Sequence, residues 1–74
     1  MNKFELQPVF IPDDDASRSR VVNDGLHNAW AVLQNGEIKY AFEFNEIDDE
    51  RSQRANAERI LEWCERREAL YGAR

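Results

Sequence analysis

The chain predicts a small α+β domain, an antiparallel sheet packed against one long C-terminal helix, and three features carry that prediction. Two short apolar runs between Leu26 and Phe44 flank Gln34-Asn35-Gly36-Glu37, the pattern of a β-hairpin. From about residue 46 to 71 no proline or glycine interrupts apolar residues at helical spacing. Phe4 to Ile11 supplies a third apolar stretch. The expected architecture is therefore a hairpin over 26–44, an N-terminal edge strand over 3–11 and a helix over about 46–71, in a single domain spanning residues 1–74.

In order along the chain, Phe4-Glu5-Leu6-Gln7-Pro8-Val9-Phe10-Ile11 begins by alternating and then turns apolar. Pro8 cannot donate to a ladder, which places this strand at an edge or bends it there. Pro12 and Asp13-Asp14-Asp15 end it. Residues 13–25 read as a solvated acidic loop with room for one helical turn, because the three aspartates lack the alternating ligands and downstream glutamate of a calcium loop. Asn23-Asp24-Gly25 is a turn that delivers the chain into the hairpin.

Two registers are open to the hairpin. A two-residue turn at Asn35-Gly36 pairs Gln34 with Glu37 and leaves Trp30 and Val32 outside. A three-residue turn, Gln34-Asn35-Gly36, sets Trp30 opposite Tyr40 and Val32 opposite Ile38. The second gathers Leu26, Trp30, Val32, Ile38, Tyr40, Phe42 and Phe44 on one face, with His27, Ala29, Ala31, Leu33, Glu37, Lys39, Ala41 and Glu43 on the other. Such consistent faces favour the three-residue turn.

Asn45 or Asp48 starts the helix, with Glu46, Asp48, Asp49 and Glu50 set against the positive end of its dipole. Gly72 stands at the C′ position, and Arg66, Arg67 and Arg74 lie near the negative end. At 100° per residue, Ala57, Ile60, Leu61, Trp63, Cys64, Leu70 and Tyr71 fall in a wide apolar arc, opposite Arg51, Arg54, Glu58, Glu62, Glu65 and Arg66. Glu50 with Arg54 and Glu62 with Arg66 have the favourable i,i+4 order. The arc is wider than a small sheet needs to cover, which makes Trp63, Leu70 and Tyr71 candidates for a twofold interface.

Composition limits function. At 74 residues, folding buries only about 60 to 65% of the unfolded surface, so the core is small. A single cysteine excludes an intrachain disulfide, and the absence of an apolar leader or of a run of about 18 apolar residues points to a cytoplasmic protein, of a bacterial cell or a phage-infected host. The net charge of −5 is uneven: residues 1–50 hold eleven acids against four bases, and residues 51–74 hold six arginines against four glutamates. That balance argues against general nucleic-acid binding and favours a protein partner with a basic surface.

Catalytic chemistry finds little here. His27 and Cys64 are the only residues of their kinds, so zinc sites and Cys-His nucleophile pairs lack ligands and partners. His27 reads as a surface residue of the outer sheet face and Cys64 as a packed thiol on the inward helix face. No glycine-rich phosphate loop exists, and no carboxylate pair is placed where a pocket would split its pKa values. No catalytic residue, cofactor, metal site or small-molecule substrate is assigned. Trp30 with Tyr40 or Phe42 could form a stacking platform for single-stranded RNA, but those aromatics are needed as core.

What remains is protein binding through Glu37, Glu43, Glu46, Asp48, Asp49 and Glu50. In size, acidity and hairpin-plus-helix plan, the chain looks like the small inhibitors that phages carry against bacterial nuclease defences, such as anti-CRISPR proteins; this is a likeness of class, carried by no motif. It implies a non-enzymatic module that occupies a partner's surface. The alternatives are a nucleic-acid-binding accessory protein using Arg51, Arg54, Arg59 and Arg66, and a plain homodimeric subunit.

Overall fold

The computed structural model describes residues 2–71. Strand β1 spans Phe4–Phe10, a single 3-10 turn Ala16–Arg18, β2 Arg20–Val21, β3 Ala29–Gln34, β4 Glu37–Glu43 and helix α1 Glu50–Tyr71. The strands form one antiparallel sheet in the order β2-β1-β3-β4, and α1 crosses one face of it. The fold is thus the expected α+β plan. Gly72 and Arg74, expected to cap and charge the helix end, lie outside the described residues.

The hairpin corrects the expected turn. Gln34 pairs with Glu37 across a two-residue loop in which both Asn35 (φ 54°) and Gly36 (φ 86°) are left-handed, as a type I′ turn requires. Asn35 tolerates that conformation because the N-terminal segment holds it. Its N–H donates to the Lys3 carbonyl (2.8 Å), its Oδ1 accepts the Lys3 N–H (2.9 Å), and its Nδ2 donates to Asn2 (3.0 Å). The extra residue sits further along. Leu33 pairs with Ile38 but Val32 with Tyr40, so Lys39 has no partner and forms a bulge.

A tight turn plus a bulge leaves the pairing beyond Lys39 two residues from that of a three-residue turn, an even step, so the faces come out as expected while the partners do not. Trp30 lies opposite Phe42, not Tyr40. Trp30 and Val32 are buried under α1 with Phe4, Leu6, Tyr40, Phe42 and Phe44 around them, and Ala57, Cys64, Ile60 and Leu61 press down from the helix. Full burial of a side chain of valine size contributes about 1.5 to 3 kcal/mol, so this layer holds the domain together. Ile38 lies before the bulge and goes to the opposite face, and Leu26 precedes the ladder and is exposed.

The outer sheet face is not the open surface of alanine and glutamate that the sequence suggested. Val9, Ala29, Ala31 and Leu33 are buried there, with Ile11 and Ile38 against them. The excursion after β1 folds back along this face: Ile11, Ala16, Ser19 and Val21 line one groove with Ile38 and Ala41. Its two ends are fixed. Asn28 brackets Ile11, accepting its N–H (2.8 Å) and donating to its carbonyl (2.9 Å). Val22 donates to the Pro8 carbonyl (3.1 Å), and β2 pairs Val21 with Val9 and Arg20 with Phe10. Residue 8 therefore turns its main-chain groups away from β3, and the donor that proline lacks is missing only from the outer side. Along Phe4 to Gln7 β1 is the edge expected of it, and the two-residue β2 flanks its far end.

Candidate functional site

The helix starts at Glu50, about four residues later than expected, because side chains between β4 and α1 take the backbone donors that a longer helix would use. Asn45 Oδ1 accepts the N–H groups of Ile47 (2.9 Å) and Asp48 (2.8 Å), closing an Asx turn. Asp49 is the N-cap: its Oδ1 accepts the Ser52 N–H (3.0 Å) and its carbonyl the Gln53 N–H (2.9 Å). The Ser52 N–H holds the Asp49 carboxyl below the usual carboxylate range. Buried Gln53 ties the junction to the sheet, donating from Nε2 to the Glu43 carbonyl (2.7 Å) and accepting from Asn56 (2.8 Å).

His27 corrects a second expectation. Its side chain is only 4% exposed and sits on the helix side of the sheet, edge-on to Trp30 (5.1 Å) and Phe44 (5.4 Å). Alternation of faces holds only within the ladder, which begins at Ala29, so residue 27 is free of it. The Gly25 N–H donates to Nδ1 (3.1 Å), leaving Nε2 to face Glu50 Oε2 at 2.5 Å. The same oxygen accepts from Trp30 Nε1 (3.4 Å), and the Arg54 guanidinium lies 4.7 Å above the Trp30 ring. This explains why Arg54 pairs with Glu58 (3.4 Å) and not with Glu50, whose carboxylate is engaged.

Asp24, His27 and Glu50 bring one ligand atom each within 4.8 Å, a spacing that invites comparison with a metal centre. The chemistry of the donors favours a hydrogen-bonded latch. The Nδ1 lone pair is directed at the Gly25 N–H, and the two ring nitrogens face different carboxylates, Asp24 at 3.6 Å from Nδ1 and Glu50 at Nε2. Both ring nitrogens are thereby engaged within the chain, Nδ1 by the Gly25 N–H and Nε2 by Glu50. Cys64 lies fourteen residues beyond Glu50, about 21 Å along the helix axis, so it and His27 sit on the same side of the sheet but at different ends. Burial pushes the Cys64 thiol up, against the pull of Lys39 and Arg67.

Of the expected acidic surface, Glu43, Glu46, Asp48, Asp49 and Glu50 meet where β4 hands over to α1, and Asp24 joins them through His27. Glu37 begins β4 at the other end of the strand, about 20 Å away. The arginines proposed for nucleic acid share the outward side of α1 with glutamates. Arg54 pairs with Glu58 and Arg66 with Glu62 (2.5 Å), while Arg51 and Arg59 are exposed.

A second cluster occupies the far end. Trp63 is 48% exposed, Leu70 70% and Tyr71 60%. The Arg67 guanidinium lies 5.2 Å from the Trp63 ring centre and 6.0 Å from that of Tyr71. Between this flank and the hairpin runs a groove of ≈ 290 Å³ walled by Trp63, Tyr40 and Tyr71 and bearing Lys39 and Arg67. Sequence reasoning passed over one residue at the acidic end: Ile47, 91% exposed between Glu46 and Asp48. An isoleucine isolated among acids was the available signal.

No protein-family model, curated protein or solved structure matches the chain. Among the described residues, no helix is long and apolar enough to cross a membrane.

Proposed function

We propose that this protein is a non-enzymatic protein-binding module that covers a basic surface of a partner with the acids at the β4–α1 junction. The observation that carries this reading is the exposure of Glu43 and Glu46, with Asp48 beside them, on a backbone fixed by the Asn45 turn, the Asp49 cap and the Gln53 bond. Asp49 and Glu50 add charge there while their carboxylates also serve the cap and the His27 contact. Closely spaced carboxylates on a stiff support present to a basic groove what a run of phosphates would, at little ordering cost. The fitting partner is a bacterial nucleic-acid-processing or defence complex, and the action is inhibition by occupation, as in phage inhibitors of that class.

Affinity capture from a bacterial lysate tests it, with the wild type beside Glu43→Lys/Glu46→Lys at low and moderate salt. The wild type should retain a nucleic-acid-processing protein, more weakly as salt rises, and the variant should not. Retention of abundant metabolic proteins alone, or of nothing, at both salt levels ends the proposal.

A further inference from the structure

The two ends of the β4–α1 flank are complementary in shape and charge. At one end Ile47 projects, flanked by Glu46 and Asp48. At the other, Trp63, Tyr40 and Tyr71 wall an open groove that carries Lys39 and Arg67 beside Glu68, whose carboxylate accepts both Asn2 donors. An exposed apolar knob between two acids thus stands at one end of α1, and a groove with two bases for one acid at the other. Within one chain they cannot meet: from Asp49 to Trp63 the helix rises about 21 Å.

We infer that a second copy of this chain docks antiparallel along this flank, each Ile47 seated in the other copy's Trp63–Tyr40–Tyr71 groove. The two contacts are equivalent, so a twofold axis midway between knob and groove closes the assembly at two copies. Glu46 and Asp48 meet Lys39 and Arg67 twice over. Strand addition does not drive the pairing, since β4 is blunted as an edge. Gln53 occupies the Glu43 carbonyl, and the Lys39 bulge interrupts the other end.

This inference goes beyond binding a foreign partner, and the two fail separately. Self-association is read in the pure protein. Capture of a partner is read with the monomeric Ile47→Asp variant, whose acids at Glu43, Asp49 and Glu50 are intact.

The test is sedimentation equilibrium of the full chain at about 100 µM, in about 50 mM and about 500 mM salt. The wild type should sediment at twice its 8.7 kDa chain mass, with an affinity at least tenfold weaker at the higher salt. Ile47→Asp should be monomeric with an unchanged circular dichroism spectrum. Lys39→Glu/Arg67→Glu should be monomeric alone, as should Glu46→Lys/Asp48→Lys, because knob and groove then carry like charges. Mixed in equal amounts, the two charge variants should form a heterodimer, each knob again meeting an opposite groove. A wild-type monomer, a dimer indifferent to Ile47→Asp, a mixture that stays monomeric, or open-ended polymers in place of dimers would each overturn the inference.

Discussion

His27 and Glu50, twenty-three residues apart, meet at 2.5 Å between imidazole Nε2 and carboxylate Oε2. The contact fastens the loop before β3 to the first residue of α1. Trp30 donates to the same carboxylate, so one side chain at the helix start holds two groups of the sheet.

Replacement of His27 by alanine removes a hydrogen bond to a charged group and leaves a gap beside Trp30 and Phe44. We expect a loss of about 2 to 3 kcal/mol in urea unfolding. Glu50→Gln keeps the shape but not the charge and should cost about 1 kcal/mol. In the double variant the two losses should fall short of their sum by about 1 kcal/mol. Strict additivity would show that the two residues stabilise independently.

Asp49 gives the acid limb of the stability profile its expected form. Its carboxyl is held below the ordinary value by the Ser52 N–H, so the folded state prefers the ionised form. That contribution is complete above the unfolded-state value, about 3.9, and is lost as pH falls through the lower folded value. Asn can cap the same N–H without titrating. Asp49→Asn should therefore flatten the fall in melting temperature below about pH 4 while leaving it nearly unchanged at pH 7. A parallel fall in both proteins would assign the acid sensitivity elsewhere.

Gly36 is left-handed, and a Cβ added there meets nothing within 4 Å. Gly36→Ala therefore isolates the backbone term, about 1 to 2 kcal/mol. The denaturation midpoint should move with an unchanged m-value. An unchanged midpoint would mean the turn relaxes into another type.

Deleting Lys39 should be tolerated. Gln34 with Glu37, Leu33 with Ile38 and Val32 with Tyr40 then run on without a gap, and no side chain changes face. Stability should stay within about 1 kcal/mol of the wild type, whereas deletion of neighbouring Tyr40 should unfold the domain. Comparable losses from the two deletions would place the extra residue elsewhere.

The parts legible in the sequence are those where local chemistry decides. Asn35-Gly36 marked the hairpin, Pro8 marked an outer edge, and the acids before Arg51 marked the helix start. The bulge was not legible, because nothing about Lys39 distinguishes it from a paired strand residue. Its burden is set by Asn35 being pinned to Lys3, a contact between residues 32 positions apart. His27 was misplaced for a related reason. A rule about strand faces was extended to a residue outside the strand, where Gly25, Trp30 and Glu50 position the ring. The burial of Ala29, Ala31 and Leu33 depended on where residues 11–21 would pass, and a loop without apolar periodicity carries no such instruction.

One contact bears on how the chain could be re-threaded. Asn2 donates to the Glu68 carboxylate from both its main-chain N and its Nδ2, each at 3.2 Å, so the first described residues lie against the last turns of α1. A short glycine-rich connection could join the two, and the backbone could be cut anew in the exposed Asp13-Asp14-Asp15 segment. Such a circular permutant would keep every strand pair and the His27 latch.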